Sequence, residues 1–163
     1  MATRSVIAKI EAKGIGGADD TILAIYCHND GYLSNNGKIL DQHYADEDKV
    51  DILLYKGDLS SLDENIGEKI NFDDIELRHK NKQCMFYARD RGEENREAVT
   101  LKNETELLKH AFEVCDAEVV YMFAFGSWYV YDNSNEIGNC SYQFIELEEA
   151  LYVPNYDYDC NII

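Results

Sequence analysis

The chain reads as an α+β domain: a mainly antiparallel sheet built from two hairpins, with helices packed on it. Three observations predict this. Strand-like segments come in two close pairs, one near the N-terminus and one after residue 118. Capped, amphipathic helical patterns stand between those pairs. A hydrophobic content of 45% over 163 residues is enough for one core. The predicted order is β-β-α-α-β-α-β-β, closed by a short helix at "FIELEEAL". The one proline, Pro154, marks the end of a single domain over 1–153, and 154–163 is expected to be an acidic tail.

Each element has its own reason. "RSVIAKIEA", Arg4 to Ala12, is rich in β-branched residues and partly alternates, so a strand is expected. "TILAIYCH", Thr21 to His28, is its hairpin partner across a Gly14–Asp20 loop. "SNNGKILDQHY" offers Ser34 as an N-cap and sets Ile39, Leu40, His43 and Tyr44 on one side. "ADEDKVDILLYKGD" repeats the device with Asp46 as cap, Val50, Leu53 and Leu54 inward, and Gly57 as stop. Residues 58 to 82 look irregular, with "RHKNKQ" as an exposed loop. "CMFYARD" then resumes strand character, and "RGEENREAV" is a charged turn. "NETELLKHAFEVC" is the clearest helix. Asn103 and Glu106 form a capping box, and Leu107, Leu108, Ala111, Phe112 and Cys115 lie along one face. "EVVYMFAFGSWYVYD" is a hairpin turning at Gly126 and Ser127, apolar on both faces.

Charge bounds the partners. The chain has 32 acidic residues against 15 basic ones, a net charge of −17. From Asn103 to Ile163 one basic residue, Lys109, stands against twelve acidic ones. Such a field repels nucleic-acid backbones and anionic membranes and accelerates encounters with basic surfaces. The plain alternative is a solvated acidic surface that serves solubility. The longest apolar run, "VVYMFAF", is too short to span a bilayer, and the first twenty residues carry no signal-peptide pattern. A soluble, intracellular protein with no membrane contact is expected.

Cys27, Cys84, Cys115, Cys140 and Cys160 are odd in number and irregularly spaced, with no CxxC pair. Free thiols are expected rather than disulfides or a metal site. No P-loop, GxGxxG, GxSxG, HExxH or EF-hand spacing occurs, so neither a cofactor nor a catalytic set is predicted.

Two polar constellations are candidates for binding. The first is "AIYCHNDGYLSNNGKIL". Cys27 and His28 are strand neighbours whose side chains diverge, so a thiol–imidazole pair is not expected there. His28, Asp30 and Tyr32 lie at the strand end, where binding residues collect, or they simply make a turn. The second is "YARDRGEE", where Arg89 and Arg91 could clasp an anion or pair with neighbouring carboxylates. Trp128 is a core aromatic or, if partly exposed, an anchor for a base or partner. Glu146, Glu148 and Glu149 are the carboxylates expected to face a partner.

"ATRSVIA", "AIYCHNDGYLSNNGKIL", "KVDILLYKGDLSSL", "IGEK", "YARDRGEE" and "WYVYD", in this order, resemble a family of small acidic proteins encoded by tailed phages and prophages. The resemblance runs over most of residues 2 to 132. In the family pattern an aromatic residue usually follows the histidine, and Asn29 stands there instead. The resemblance implies a genetic setting and no activity.

Two functions follow as expectations. The first is a non-enzymatic acidic inhibitor made by a phage or mobile element, of the anti-restriction or anti-CRISPR kind, covering the basic surface of a host nucleic-acid enzyme. The second is a nucleotide-binding protein, a signal sponge or small hydrolase, that joins His28 and Asp30 to Arg89 and Arg91.

Overall fold

Two hairpins joined side by side make the centre of the sheet. The structure, a computed structural model, describes residues 2–11, 20–133 and 143–152. Most of the first hairpin loop, Cys140, Cys160, Pro154 and the predicted tail lie outside the described residues.

The first hairpin is β1 (Ser5–Glu11) against β2 (Thr21–Cys27), in register from Ser5 opposite Cys27 to Glu11 opposite Thr21. The second is β6 (Val119–Ala124) against β7 (Ser127–Asp132). The two meet through a parallel β1–β6 ladder, with Ser5 opposite Val119 and Lys9 opposite Phe123. Two outer elements, β3 (Leu59–Ser61) and β4 (Met85–Phe86), extend the sheet beyond β2. β8 (Ile145–Glu146) closes the other edge on β7. β5 (Val99–Leu101) also pairs with β2, antiparallel at Ile22–Ala24, while β3 touches β2 only at Cys27. The outer edge of β2 is therefore shared between two short strands. Between them the Tyr26 N–H donates to the Asp58 carboxylate, at 2.8 Å.

The sheet is mostly antiparallel and is covered on both faces. Ile7, Ile25, Tyr121 and Phe123 point to one side, where α1 (Lys38–His43), α2 (Glu47–Lys56) and α6 (Leu147–Tyr152) supply Leu40, Leu53, Leu54 and Leu147. Val6, Ala8, Ala24, Val120 and Met122 point to the other, under Leu107 and Ala111 of the segment formed by α5 (Glu104–Lys109) and the turn that follows it. The alternation along β1 and β6 is the period-2 geometry of a strand. With cores on both sides, every residue of β6 is buried. Lys9 is buried as well. Burial alone would lower its pKa, but bonds to Asp51 and Glu47 at the start of α2 prevail and raise it.

The capping signals acted as expected at α2 and α5. Asp46 accepts from the Asp48 N–H, and Gly57 ends α2 at φ 87°. There a Cβ would sit 2.2 Å from the Arg96 carbonyl oxygen. Asn103 accepts from the Glu106 N–H while Glu106 accepts from the Lys102 N–H, opening α5 (Glu104–Lys109).

Other expectations need correction. Ser34 caps nothing: Leu33–Gly37 forms a π-helical turn, because Asn36 is drawn fully inside. His43 is exposed, whereas Leu40 and Tyr44 are buried. "RHKNKQ" is largely the end of α3 (Ile75–Asn81), whose N-terminus Asp74 caps by accepting from the Leu77 N–H. "CMFYARD" leaves the strand at Phe86 and turns into α4 (Tyr87–Arg91), because the buried Asp90 carboxylate folds back onto the Phe86 N–H at 2.8 Å. The last residue of the predicted charged turn, Val99, begins β5. The second hairpin turns one residue early, at Phe125 and Gly126, with φ 52° and 79°. That turn has positive φ at both positions, and only the second is a glycine.

Candidate functional site

The polar letters of "CHNDGYLSNNG" are largely engaged by the fold itself. Asn36 Nδ2 reaches Ser5 Oγ and Cys27 Sγ, each at 3.4 Å, and Asn35 donates to Asn36 Oδ1 at 2.9 Å. Asn29 Nδ2 donates to the Ser60 carbonyl at 2.9 Å, and the Tyr121 hydroxyl donates to the Gly31 carbonyl at 2.6 Å. Gly31 is required by close approach: a Cβ there would lie 2.7 Å from Ser5 Cβ and 2.9 Å from the Thr3 carbonyl oxygen. The Cys27 thiol is fully buried, and burial pushes its pKa up to about 12. His28 Nδ1 meets the Tyr26 hydroxyl at 2.7 Å. Asp30 is exposed at φ 56°, its carbonyl accepting from Asn35, and Tyr32 is half-buried beside it.

Arg89 is not a free anion clamp. Its guanidinium donates to the carbonyls of Ile66, Gly67 and Cys84 and to both oxygens of Asp90, between 2.9 and 3.1 Å. Arg91 pairs with Glu93 and lies 4.7 Å from the Phe72 ring and 4.9 Å from the Tyr87 ring. Tyr87 carries a second cation, Arg96, at 4.2 Å, and Arg96 in turn faces Tyr26 at 5.9 Å. A ladder of alternating rings and guanidinium groups thus runs from Phe72 to His28. The two motifs stand at its ends and do not join in one clasp.

Trp128 is a core residue. It is buried, donates from Nε1 to the Tyr44 carbonyl at 2.8 Å and meets Phe123 edge-on. Glu146 and Glu148 are exposed beside it on the rim of a shallow cleft that also contains Asp41, and Glu149 is half-exposed.

A further cleft lies elsewhere, where the sequence offers no motif. About 430 Å³ lies between the outer edge of β2, the Asn95–Glu97 loop and the end of the α5 segment. Arg4, Tyr26, Asp58, Arg96, His110 and Cys115 line it. Burial raises the Asp58 carboxyl, while the Tyr26 N–H and the Arg96 charge, 3.3 Å away, pull it partly back. Arg4 donates to Asp116 at the rim, at 2.8 Å.

His110 and Cys115 owe their meeting to backbone geometry. After Lys109 the helix widens into a π-helical turn, His110–Val114, and the Cys115 N–H donates to the His110 carbonyl at 3.0 Å. Residues five apart are separated by about 140° on an α-helix but share a face where the i to i+5 bond forms. His110 Nε2 and Cys115 Sγ therefore lie 3.4 Å apart. Cys115 packs against the Leu107 and Ala111 cluster, as expected, and it is half-buried and also lines the cleft.

Among the described residues no group of three or more histidine, cysteine, aspartate or glutamate side chains could hold a metal ion, and no helix is long and apolar enough to cross a membrane. No family model, curated protein or solved structure matches the chain.

Proposed function

We propose that the protein is an acidic binding protein that acts without catalysis by covering a basic, nucleic-acid-binding surface on a protein partner. One observation carries this reading: each of the five arginines is engaged within the protein, while the carboxylates of several elements face solvent. Arg4 meets Asp116, Arg78 donates to Ser61, Arg89 holds Asp90, Arg91 meets Glu93 and Arg96 meets Asp58. Glu104, Glu106, Glu113 and Glu118 are exposed around the α5 segment, and Glu146 and Glu148 around β8 and α6. A net charge of −17 presented this way imitates a phosphate backbone and steers association with a basic groove. The resemblance to phage-encoded proteins supplies the setting, a host defence or replication enzyme as partner. The nucleotide reading is weaker, because Arg89 has no donor left for a phosphate and the His28 and Arg91 ends of the ladder stand apart.

The test is competition. A host nucleic-acid enzyme retained on the immobilised protein at low salt should be released by duplex DNA, and its affinity should fall steeply as salt rises. Reversing Glu146, Glu148 and Glu149 together, and separately Glu104, Glu106 and Glu113, assigns the binding face. If neither set weakens binding, or DNA does not compete, the reading is wrong.

A further inference from the structure

We infer that Cys115 and His110 form a thiol–imidazole pair that undergoes exchange with small zwitterionic disulfides, making this cleft a site of reversible thiol modification. Three independent features converge on it. The first is the π-helical turn that ends the α5 segment, whose widened backbone places Sγ 3.4 Å from Nε2. The second is access. Cys27 and Cys84 are fully buried, whereas Cys115 is half-buried and lines the cleft. The third is the lining charge. Arg4 and Arg96 suit carboxylates, and Asp116 and Glu97 suit ammonium groups, so a peptide disulfide bearing both signs is matched. The Arg4–Asp116 pair is open to water on both sides and exchanges readily for a ligand carboxylate. The volume, about 430 Å³, falls within the range of small-molecule clefts.

The chemistry needs the imidazole. Burial pushes the Cys115 thiol up to about 11, so little thiolate stands at neutral pH. His110 Nε2 takes the S–H proton as the sulfur attacks one sulfur of the disulfide. The old S–S bond breaks, a mixed disulfide forms at Cys115, and the departing thiolate recovers the proton from the imidazolium. No outside oxidant beyond the disulfide is required.

The experiment incubates the folded protein with oxidised glutathione near neutral pH and follows each cysteine peptide by mass spectrometry. Cys115 should acquire the adduct at least about tenfold faster than Cys27 and Cys84. His110→Gln should slow Cys115 by about tenfold or more toward both oxidised glutathione and the uncharged 2-hydroxyethyl disulfide. Arg4→Gln should slow only the reaction with glutathione. If His110→Gln does not fold, the pH profile of the wild type decides: a bare thiol gains about tenfold in rate per pH unit below its pKa, and a base-assisted one rises less steeply. Modification of Cys115 no faster than of Cys27, or an unchanged rate in His110→Gln, overturns the pair. Equal slowing of both reagents by Arg4→Gln overturns the ligand class.

Discussion

The junction after β2 and the turn after α5 invert each other. The junction is dense in reactive letters, with Cys27, His28, Asp30 and Asn36 inside ten residues, yet its buried polar groups are largely occupied within the fold. The turn after α5 reads as the apolar flank of an ordinary helix, yet it places an imidazole and a half-buried thiol side by side in a cleft of about 430 Å³. The difference teaches that residue type sets what chemistry is conceivable, whereas the availability of hydrogen-bonding partners sets what remains free. A buried donor must be satisfied, and one whose bonds are all made inside the fold is no longer a ligand site, whereas a solvent-exposed pair can still exchange.

The comparison can be broken by mutation, and the largest effect is expected at the second polar motif. Asp90→Ala removes a carboxylate with no exposed surface and leaves the Arg89 guanidinium and the Phe86 N–H without it. Loss of one member of such a buried pair is expected to cost about 3 kcal/mol, read from chemical denaturation. A loss below about 1 kcal/mol would mean that Arg89 is free enough to bind something else.

Gly31→Ala comes next. The added methyl collides with Ser5 and the Thr3 backbone, so the junction must shift, at about 2 kcal/mol. A neutral result would show that the junction is loose.

The two thiols then separate the regions directly. Cys27→Ala should cost about 1 kcal/mol in packing, while Cys115→Ser should stay within about 0.5 kcal/mol, because its site already borders solvent. Equal costs would erase the distinction between structural and available sulfur.

The smallest effect is a pH dependence at Asp58. Its carboxyl is raised by burial, so the folded state holds that proton more tightly than the unfolded chain does. The resulting stability is fully present below the ordinary carboxylate value and is lost as pH rises through the elevated one. Asp58→Asn keeps an acceptor for the Tyr26 N–H and should lose less stability than the wild type as pH rises across that range. Parallel curves for the two proteins would exclude the shift.

Signals that act within a few residues were legible in the sequence. Asp46, Asn103 and Glu106 cap their helices as expected, since these bonds reach an N–H only two to four residues away. The apolar alternation of β1 and the unbroken apolar run of β6 set both as buried strands, and the two hairpins followed. Elements with no apolar period escaped. α3 buries no residue, so only its Asp74 cap announces it, and β5 is three residues, none of them fully buried, that borrow their partner from β2.

By itself, then, the sequence determined the α+β class, the two hairpins, the capped helices and the excess of negative charge, because each rests on local periodicity, local hydrogen bonds or composition. Only the tertiary structure decided which polar side chains remain available. Arg89 is claimed by carbonyls as far away in sequence as Ile66, and Asn36 by Ser5, 31 positions earlier. The π-helical turn that joins His110 to Cys115 follows the packing of the α5 segment on the sheet and has no residue pattern of its own. Satisfaction of buried polar groups is a long-range competition among all donors and acceptors in the fold, and a linear sequence does not order its outcome.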